Sequence, residues 1–248
     1  MMNDPRRTLI LCLASSLLFA ACGGRLLYPG LTAEEVYNLG LQAREQEDWE
    51  GAARAFEFVL NTQGFNHAAE ARLLLAGVQY SNGLYIESRS EYERVIDRWP
   101  ADTVAIRAAL GVCRSLSSLS PITQRDQAFT RQARLSCQQV AADFAGTLMG
   151  LEAARLAEEM VLKLSERDYD TGRHYLRRGL LDSALLYFEE VASEYPDTEW
   201  APWALYRMIE VFGRIGYQRD VDATRDLLLE DYAESEPAAQ LLLEDGGV

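Results

Sequence analysis

The chain has 248 residues, of which 48% are hydrophobic and 25% are charged, a composition typical of a folded protein with a sizeable core. Its formal net charge is −14, and Lys163 is the sole lysine, so that arginine supplies almost all of the positive charge. An acidic balance of this size argues against a nucleic-acid partner and against a polybasic membrane-binding surface. It indicates a solvated acidic exterior.

Residues 1–21 have the layout of a secretory signal peptide. Arg6 and Arg7 precede an apolar run, Leu9 to Ala21, which is too short for a stable transmembrane span. The small residues directly before Cys22 resemble a bacterial lipobox, in which the cysteine is diacylated, cleaved from the leader and acylated again. Ordinary cleavage after Ala21, which would leave Cys22 unmodified, is the alternative.

Residues 22–31 are expected to tether the protein to a membrane through the lipid on Cys22. Three acyl chains would anchor it firmly, because each buried CH₂ contributes about 0.8 kcal/mol. Gly23 follows the cysteine in place of aspartate, which by resemblance to known sorting rules favours the periplasmic face of the outer membrane. A tether of about nine residues reaches only about 30 Å. The first helix is therefore expected to lie close to the lipid.

Residues 32–100 are predicted to form two tetratricopeptide (TPR) repeats, each a pair of antiparallel helices. Thr32 is expected to cap the first helix, with Glu35 completing a capping box. Small and large apolar residues then recur at fixed offsets, and about 36 residues separate Ala52 from Ser88, close to the length of this repeat class. The offsets are carried by Gly40, Ala52 and Phe56 in the first unit and by Ala76, Ser88 and Tyr92 in the second.

Residues 101–146 are predicted to be a degenerate third repeat. Asp102 caps a helix that continues to about Leu116, and a second helix follows from about Gln127 to Phe144. Residues 117–126 between them are rich in serine and contain Pro121, so they are predicted to form a loop longer than a TPR turn.

Two cysteines, Cys113 and Cys137, lie in this third repeat. In an oxidising periplasm they could pair, whereas cysteines on apolar helix faces are more often small buried residues. The sequence leaves both states open and favours the unpaired one. The two histidines, His67 and His174, have no ligand spacing with a cysteine, so neither a metal site nor a cofactor is expected.

Residues 147–236 are predicted to hold repeats four and five. Unbroken helical spacing of apolar residues from Leu148 onwards predicts one long helix over 147–178, which leads into the clearest repeat of the chain. In that repeat Gly172, Ala184 and Phe188 share the offsets of the first unit. Gly179 and Pro196 are expected to end its two helices.

The last predicted helix pair consists of Pro202 to Ile215 and Arg219 to Tyr232. It lacks the closing proline and is expected to be a degenerate fifth repeat. The tail, residues 237–248, is expected to be frayed. The predicted fold is an all-α TPR solenoid of about ten antiparallel helices in five repeats. Its expected structural positions are Gly40, Ala52, Phe56, Gly172, Ala184, Phe188 and Pro196.

This plan resembles the BamD family of TPR lipoproteins of the β-barrel assembly machinery (BAM complex) in the outer membrane. The motifs that carry the resemblance are HYLRRG, which ends at Gly179, and EYPDTEWAPWALY, which begins at Glu194. The likeness spans Cys22 to about Glu236. It implies a non-catalytic adaptor without nucleic-acid binding. The implied partners are a BamA-like β-barrel insertase, bound by the C-terminal half, and unfolded outer-membrane protein precursors, received by the N-terminal half. Further assembly lipoproteins are left open.

Two candidate surfaces follow from the positions that line the concave face of TPR stacks. The first is an apolar, aromatic groove with one cation, suited to an extended peptide that ends in a carboxylate. The second is a locally basic cluster, suited to the insertase. Ordinary packing and a solvated charged face are the respective alternatives. The groove comprises Tyr37, Leu41, Arg44, Leu73, Gly77 and Tyr80, and the cluster comprises Tyr169, Arg173, Leu176, Arg177 and Arg178.

An enzyme is not predicted, because no nucleophile motif, glycine-rich phosphate loop or metal-ligand set occurs in the sequence. The repeats use the entire mature chain and leave no room for a catalytic domain. A second function remains open, that of an envelope lipoprotein that couples peptidoglycan synthesis or constriction to the outer membrane. The five-repeat plan with a loop in the third repeat favours the assembly function over it.

Overall fold

The computed structural model describes residues 27–246, and within them the regular structure is entirely helical. Residues 1–26, with the predicted signal peptide, Cys22 and most of the tether, lie outside the described residues. The helices are α1 (Ala33–Glu45), α2 (Trp49–Leu60), α3 (Ala68–Ser81), α4 (Tyr85–Arg98), α5 (Thr103–Leu119), α6 (Ala128–Asp143), α7 (Leu148–Arg177), α8 (Leu181–Glu194), α9 (Trp200–Ile215), α10 (Gln218–Asp231) and α11 (Glu236–Gly246).

The helices form an all-α TPR solenoid, as predicted. Each helix from α1 to α9 packs against the next one in the chain, and α11 packs on α9. The first helices of successive repeats also touch one another, from α3 on α5 to α7 on α9. Several predicted caps are present: the Thr32 hydroxyl accepts a hydrogen bond from the Glu35 amide at 3.3 Å, and the Glu35 carboxylate accepts one from the Thr32 amide at 2.8 Å. The first predicted repeat therefore begins where the sequence indicates.

Small residues occur in the repeat pattern because the two helices of a pair approach each other closely at those positions. Phe56 and Phe188 are fully buried, and each ring lies against a glycine of the preceding helix. A Cβ atom on Gly40 would lie 2.9 Å from Phe56, and one on Gly172 would lie 2.6 Å from Phe188. Both distances are shorter than normal van der Waals contact, so a larger residue could enter only if the ring moved.

We expect Gly172→Val to lower the free energy of unfolding by about 1–3 kcal/mol, because the added atoms overpack a filled site beside Phe188. Gly213→Ala is the matched control, since that glycine is also helical but a Cβ there meets open space. The control should gain up to about 1 kcal/mol from helix propensity. Urea denaturation measures both. An unchanged midpoint for Gly172→Val would contradict this account of the repeat.

The loop of the third repeat is shorter than predicted. Helix α5 continues through the serine-rich segment to Leu119, and the Ser117 hydroxyl donates to the Cys113 carbonyl of the same helix at 2.9 Å. The connection that remains, residues 120–127, is held by buried Gln127, whose side-chain amide donates to the carbonyls of Ile122 at 2.8 Å and Arg125 at 2.9 Å. This loop is ordered by its own hydrogen bonds.

Cys113 and Cys137 form a disulfide that links α5 to α6. Their Cα atoms are 4.9 Å apart, and both side chains are fully buried. The sequence favours the unpaired state, and that preference is wrong. The reason is the register of the two helices, which places both cysteines on facing positions, and this register cannot be read from residue types alone.

The C-terminal half follows the prediction up to its last helix. The long helix has the expected bounds, and Gly179 takes the left-handed conformation, φ +73°, after the C-cap Arg178. The tail predicted to be frayed instead contains α11. The prediction is wrong because Ala238 and Leu241 are buried in the C-terminal core. This helix covers the end of the stack, as a terminal cap must.

Candidate functional site

A groove of about 650 Å³ runs along the first helices of repeats one to three and reaches the start of α7. It mixes aromatic, aliphatic and arginine side chains, which is the chemistry expected of a surface that binds an extended peptide. It is called the N-terminal groove below. Its lining residues are Arg44, Glu45, Trp49, Leu73, Leu74, Gly77, Val78, Tyr80, Ser81, Tyr92, Arg107, Leu110, Arg114 and Met149.

Four of the six residues predicted for a groove line this one: Arg44, Leu73, Gly77 and Tyr80. Tyr37 and Leu41 do not. Tyr37 packs against Phe56 and stacks on His67 with ring centroids 6.0 Å apart, and Leu41 joins the core of the first repeat. The repeat positions of Tyr37 and Leu41 predict that they line the groove. In the structure, the packing of α1 directs both side chains towards α2 and α3.

The contribution of the third repeat to this groove was not predicted from the sequence. Arg107, Leu110 and Arg114 of α5 recur at helical spacing on one face, and Met149 of α7 lies beside them. The signal is present in the sequence as this i, i+3, i+7 spacing. It went unrecognised because these side chains join the groove only through the packing of α5 on α3.

The arginines of the groove differ in their electrostatic state. Arg114 donates two hydrogen bonds to Glu152, each 2.6 Å long, which raise the pKa of the arginine and lower that of the glutamate. Arg107 is paired with Glu70 at 3.0 Å. Arg44 has no carboxylate partner among residues 27–246. It is therefore the cation of this groove that remains available to a carboxylate ligand.

The predicted basic cluster on α7 is only partly exposed. Arg173, Arg177 and Arg178 are exposed, whereas Tyr169 and Leu176 are 4% and 7% exposed in the C-terminal core. Assigning those two side chains to direct contact with a partner is therefore wrong. Tyr169 instead packs against Phe188 and Trp200, with ring centroids 5.8 and 5.0 Å apart. The guanidinium of Arg173 lies over the Tyr169 ring at 5.7 Å.

A second groove, of about 600 Å³, separates the loop of the third repeat from the C-terminal part of α7. Arg177 lines it, and so do three cationic or titratable side chains that were not predicted: Arg125 from the loop, and Arg167 and His174 from α7. Arg167 and His174 lie on one helix face with Arg177, and this spacing is the signal that could have found them. The lining residues of this basic groove are Thr123, Gln124, Arg125, Asp126, Arg167, Asp170, Thr171, His174, Tyr175 and Arg177.

A buried aspartate next to this basic groove fixes the position of one of its arginines. Asp168 is paired with Arg167, and its burial raises the pKa of the carboxyl group. Tyr195 lies close to Asp168, and the guanidinium of Arg134 lies over the Tyr195 ring at 5.9 Å. The ion pair holds Arg167 at the wall of the groove, so that its position is fixed before any ligand arrives.

Across residues 27–246, no group of three or more histidine, cysteine, aspartate or glutamate side chains is arranged to hold a metal ion. A search of the same residues finds no helix with the length and apolarity needed to cross a membrane.

The sequence profile of a family described as "YfiO: Outer membrane lipoprotein" matches residues 29–227. The outer membrane protein assembly factor BamD of Caulobacter vibrioides is 26% identical over 210 residues, covering 81% of this chain and 68% of that protein. BamD of Rickettsia prowazekii is 23% identical over 201 residues, covering 81% and 80%.

Among solved structures, the TPR2AB domain of yeast Sti1 in complex with an Hsp90 peptide superposes with a TM-score of 0.43 at 11% identity. The superposition covers 86% of this chain and 84% of that one. It is too loose to support any argument about function.

Proposed function

The chain belongs to the YfiO/BamD family of outer membrane lipoproteins, and we propose that it is a non-catalytic adaptor that receives outer-membrane protein precursors and binds the β-barrel insertase. Membership of this family associates the chain with the outer membrane. We further propose that the lipid on Cys22 anchors it at the periplasmic face. The observation that carries the adaptor function is the pair of separate charged grooves on one repeat stack.

The N-terminal groove is the proposed receptor for the precursor. A barrel precursor is extended when it is unfolded, alternates apolar and polar residues, and ends in a strand with a free carboxylate. In this groove Trp49, Tyr80 and Met149 offer apolar contacts, and Arg44 offers an unpaired guanidinium. The paired arginines Arg107 and Arg114 are neutralised by their glutamates, so they do not draw anionic ligands indiscriminately.

A peptide that copies the last strand of a barrel precursor tests this proposal. We expect the free-carboxylate peptide to bind about tenfold more tightly than the same peptide ending in an amide, because the amide loses the charge-assisted hydrogen bond to Arg44. Arg44→Ala should remove this difference. Arg54→Ala, an exposed arginine of α2 outside the groove, is the control. Fluorescence anisotropy of a labelled peptide measures the affinities. Equal affinities for both peptides in the wild-type protein would contradict the assignment.

The basic groove, together with exposed Arg173 and Arg178, is the proposed binding surface for the insertase. Arginine is enriched at protein interfaces, where its guanidinium forms paired hydrogen bonds with carboxylates. A local excess of cations on a chain of net charge −14 would also orient an acidic partner during encounter.

A further inference from the structure

A cluster of three arginines lies at the end of the stack where repeats one and two are connected. Arg72 comes from α3, and Arg94 and Arg98 come from the last turns of α4. They surround a cavity of about 480 Å³ that Asp97 also lines. The cluster is outside both grooves described above, and the proposed adaptor function does not use it.

The positive charges of this cluster exceed its negative charges. Buried Glu91 forms ion pairs with both Arg72 and Arg94, so that one carboxylate serves two guanidinium groups. Arg98 has no carboxylate partner in the part of the chain that the structure describes, and its guanidinium lies 5.3 Å from the centre of the Trp99 ring. The Nε atom of Arg72 is buried and has no hydrogen-bond acceptor. Three guanidinium groups therefore face two carboxylates, Glu91 and Asp97, and the net positive charge that remains favours an anionic ligand.

The surroundings of the cluster are aromatic and polar. A second cavity, of about 340 Å³, adjoins it through Arg72 and Arg98, and its other walls are Trp99, Phe65 and the loop of residues 60–64. Tryptophan and arginine side chains combine an apolar body with a polar end, which suits the boundary between lipid and water.

This end of the stack is also where the chain enters from its N-terminus. The Tyr28 ring contacts the Phe58 ring at 5.1 Å, and both belong to a cluster that includes Leu60 and Phe65. The second cavity of the arginine cluster is lined by the latter two residues. Five residues separate Leu27 from Cys22, so the entry point lies within about 18 Å of the proposed lipid attachment.

We propose that Arg72, Arg94 and Arg98 bind the phosphate of an anionic phospholipid headgroup, so that the first two repeats lie against the membrane surface in one orientation. The inference rests on the proposed lipid attachment at Cys22, which holds the cluster close to the headgroups. Arginine binds phosphate through two parallel N–H donors, and Trp99 beside Arg98 would reach the acyl-chain boundary. This cluster, unlike the basic groove, lies beside the point where the chain enters from its N-terminus, so it determines which end faces the lipid.

Quenching of Trp99 by brominated lipids tests this proposal. The lipidated mature protein is reconstituted into vesicles of phosphatidylcholine alone or of phosphatidylcholine with phosphatidylglycerol, with bromine on the acyl chains in each. The Trp99 signal is the difference between the wild-type protein and Trp99→Phe. We expect it to be quenched about twofold more strongly when phosphatidylglycerol is present and to lose this excess at high salt.

Arg98→Glu is the decisive variant, because Arg98 forms no ion pair among the described residues and its reversal breaks none. Arg98→Glu should make the quenching of Trp99 independent of phosphatidylglycerol. Arg219→Glu on α10 should leave the dependence of this quenching on phosphatidylglycerol unchanged. Arg98→Gln, which adds no negative charge, should also abolish it and serves as a second variant if the reversal perturbs folding. Equal quenching of Trp99 in both lipid mixtures, or full retention in Arg98→Gln, would overturn the proposal.

Failure of the anchor is distinguishable from failure of this site. If Cys22→Ser remains with the vesicles at high salt as well as the lipidated protein does, the lipid attachment is wrong, whatever Trp99 reports. If the lipidated protein remains bound to the vesicles and Cys22→Ser does not, but Trp99 is not quenched, the proposed lipid attachment is supported. The proposed headgroup site is then wrong.

Discussion

Removal of the disulfide in Cys113→Ala with Cys137→Ala is expected to lower the free energy of unfolding by about 3 kcal/mol. The bond closes a loop over a sequence separation of 24 residues, and its loss restores conformational freedom to the unfolded chain. Both positions are fully buried against apolar neighbours, so alanine introduces no unsatisfied polar group. The third repeat is also interrupted by the connection of residues 120–127, so the covalent link between α5 and α6 is important there.

Urea denaturation with and without a reductant measures this effect. Reductant should destabilise the wild-type protein by the same amount as the double substitution, and it should leave the double variant unchanged. The variant is thus the control for any other action of the reductant. If the wild-type protein and the variant unfold at the same urea concentration under oxidising conditions, the disulfide does not stabilise the third repeat.

The second large effect is expected from Arg177→Glu with Arg178→Glu. Both side chains are exposed, and neither forms an ion pair among residues 27–246, so the reversal should leave the helical content unchanged. If the basic groove binds the insertase, two like-charge contacts replace two attractive ones, and recovery of the partner should fall by more than about tenfold.

Arg54→Glu with Arg219→Glu is the matched control for this prediction. It changes the net charge by the same amount, and both residues are exposed and lie outside the two grooves. Affinity capture of the insertase at equal protein levels gives the comparison. If recovery of the insertase falls equally in both double variants, the net charge of the chain determines binding and the basic groove does not.

The parts of the fold that were predictable from sequence are those in which one residue type satisfies a steric requirement. Gly172 and Phe188 illustrate this, because only a residue without Cβ lets that ring pack at the observed distance, and the same offset recurs at Gly40 and Phe56. The capping box at Thr32 and the left-handed Gly179 are likewise local requirements.

The parts that were not predictable depend on packing between elements. The disulfide requires facing registers on α5 and α6, and α11 forms because Ala238 and Leu241 find a buried surface on the preceding repeat. The same limit applies to the site. Tyr169 occupies a position that lines the groove in a regular repeat, but here Trp200 of α9 covers it. Arg107 and Arg114 belong to the N-terminal groove only because α5 packs on α3.

If the chain joins precursors to a β-barrel insertase, as we propose, affinity capture of the lipidated protein from detergent-solubilised membranes should recover that insertase. Proteins that remain bound after a high-salt wash would be identified by mass spectrometry. We expect a β-barrel protein with periplasmic repeats, recovered with the wild-type protein and with Arg54→Glu/Arg219→Glu, and lost with Arg177→Glu/Arg178→Glu. Recovery of peptidoglycan-synthesising enzymes in place of a barrel protein would contradict the claim and would favour a role in coupling the cell wall to the outer membrane.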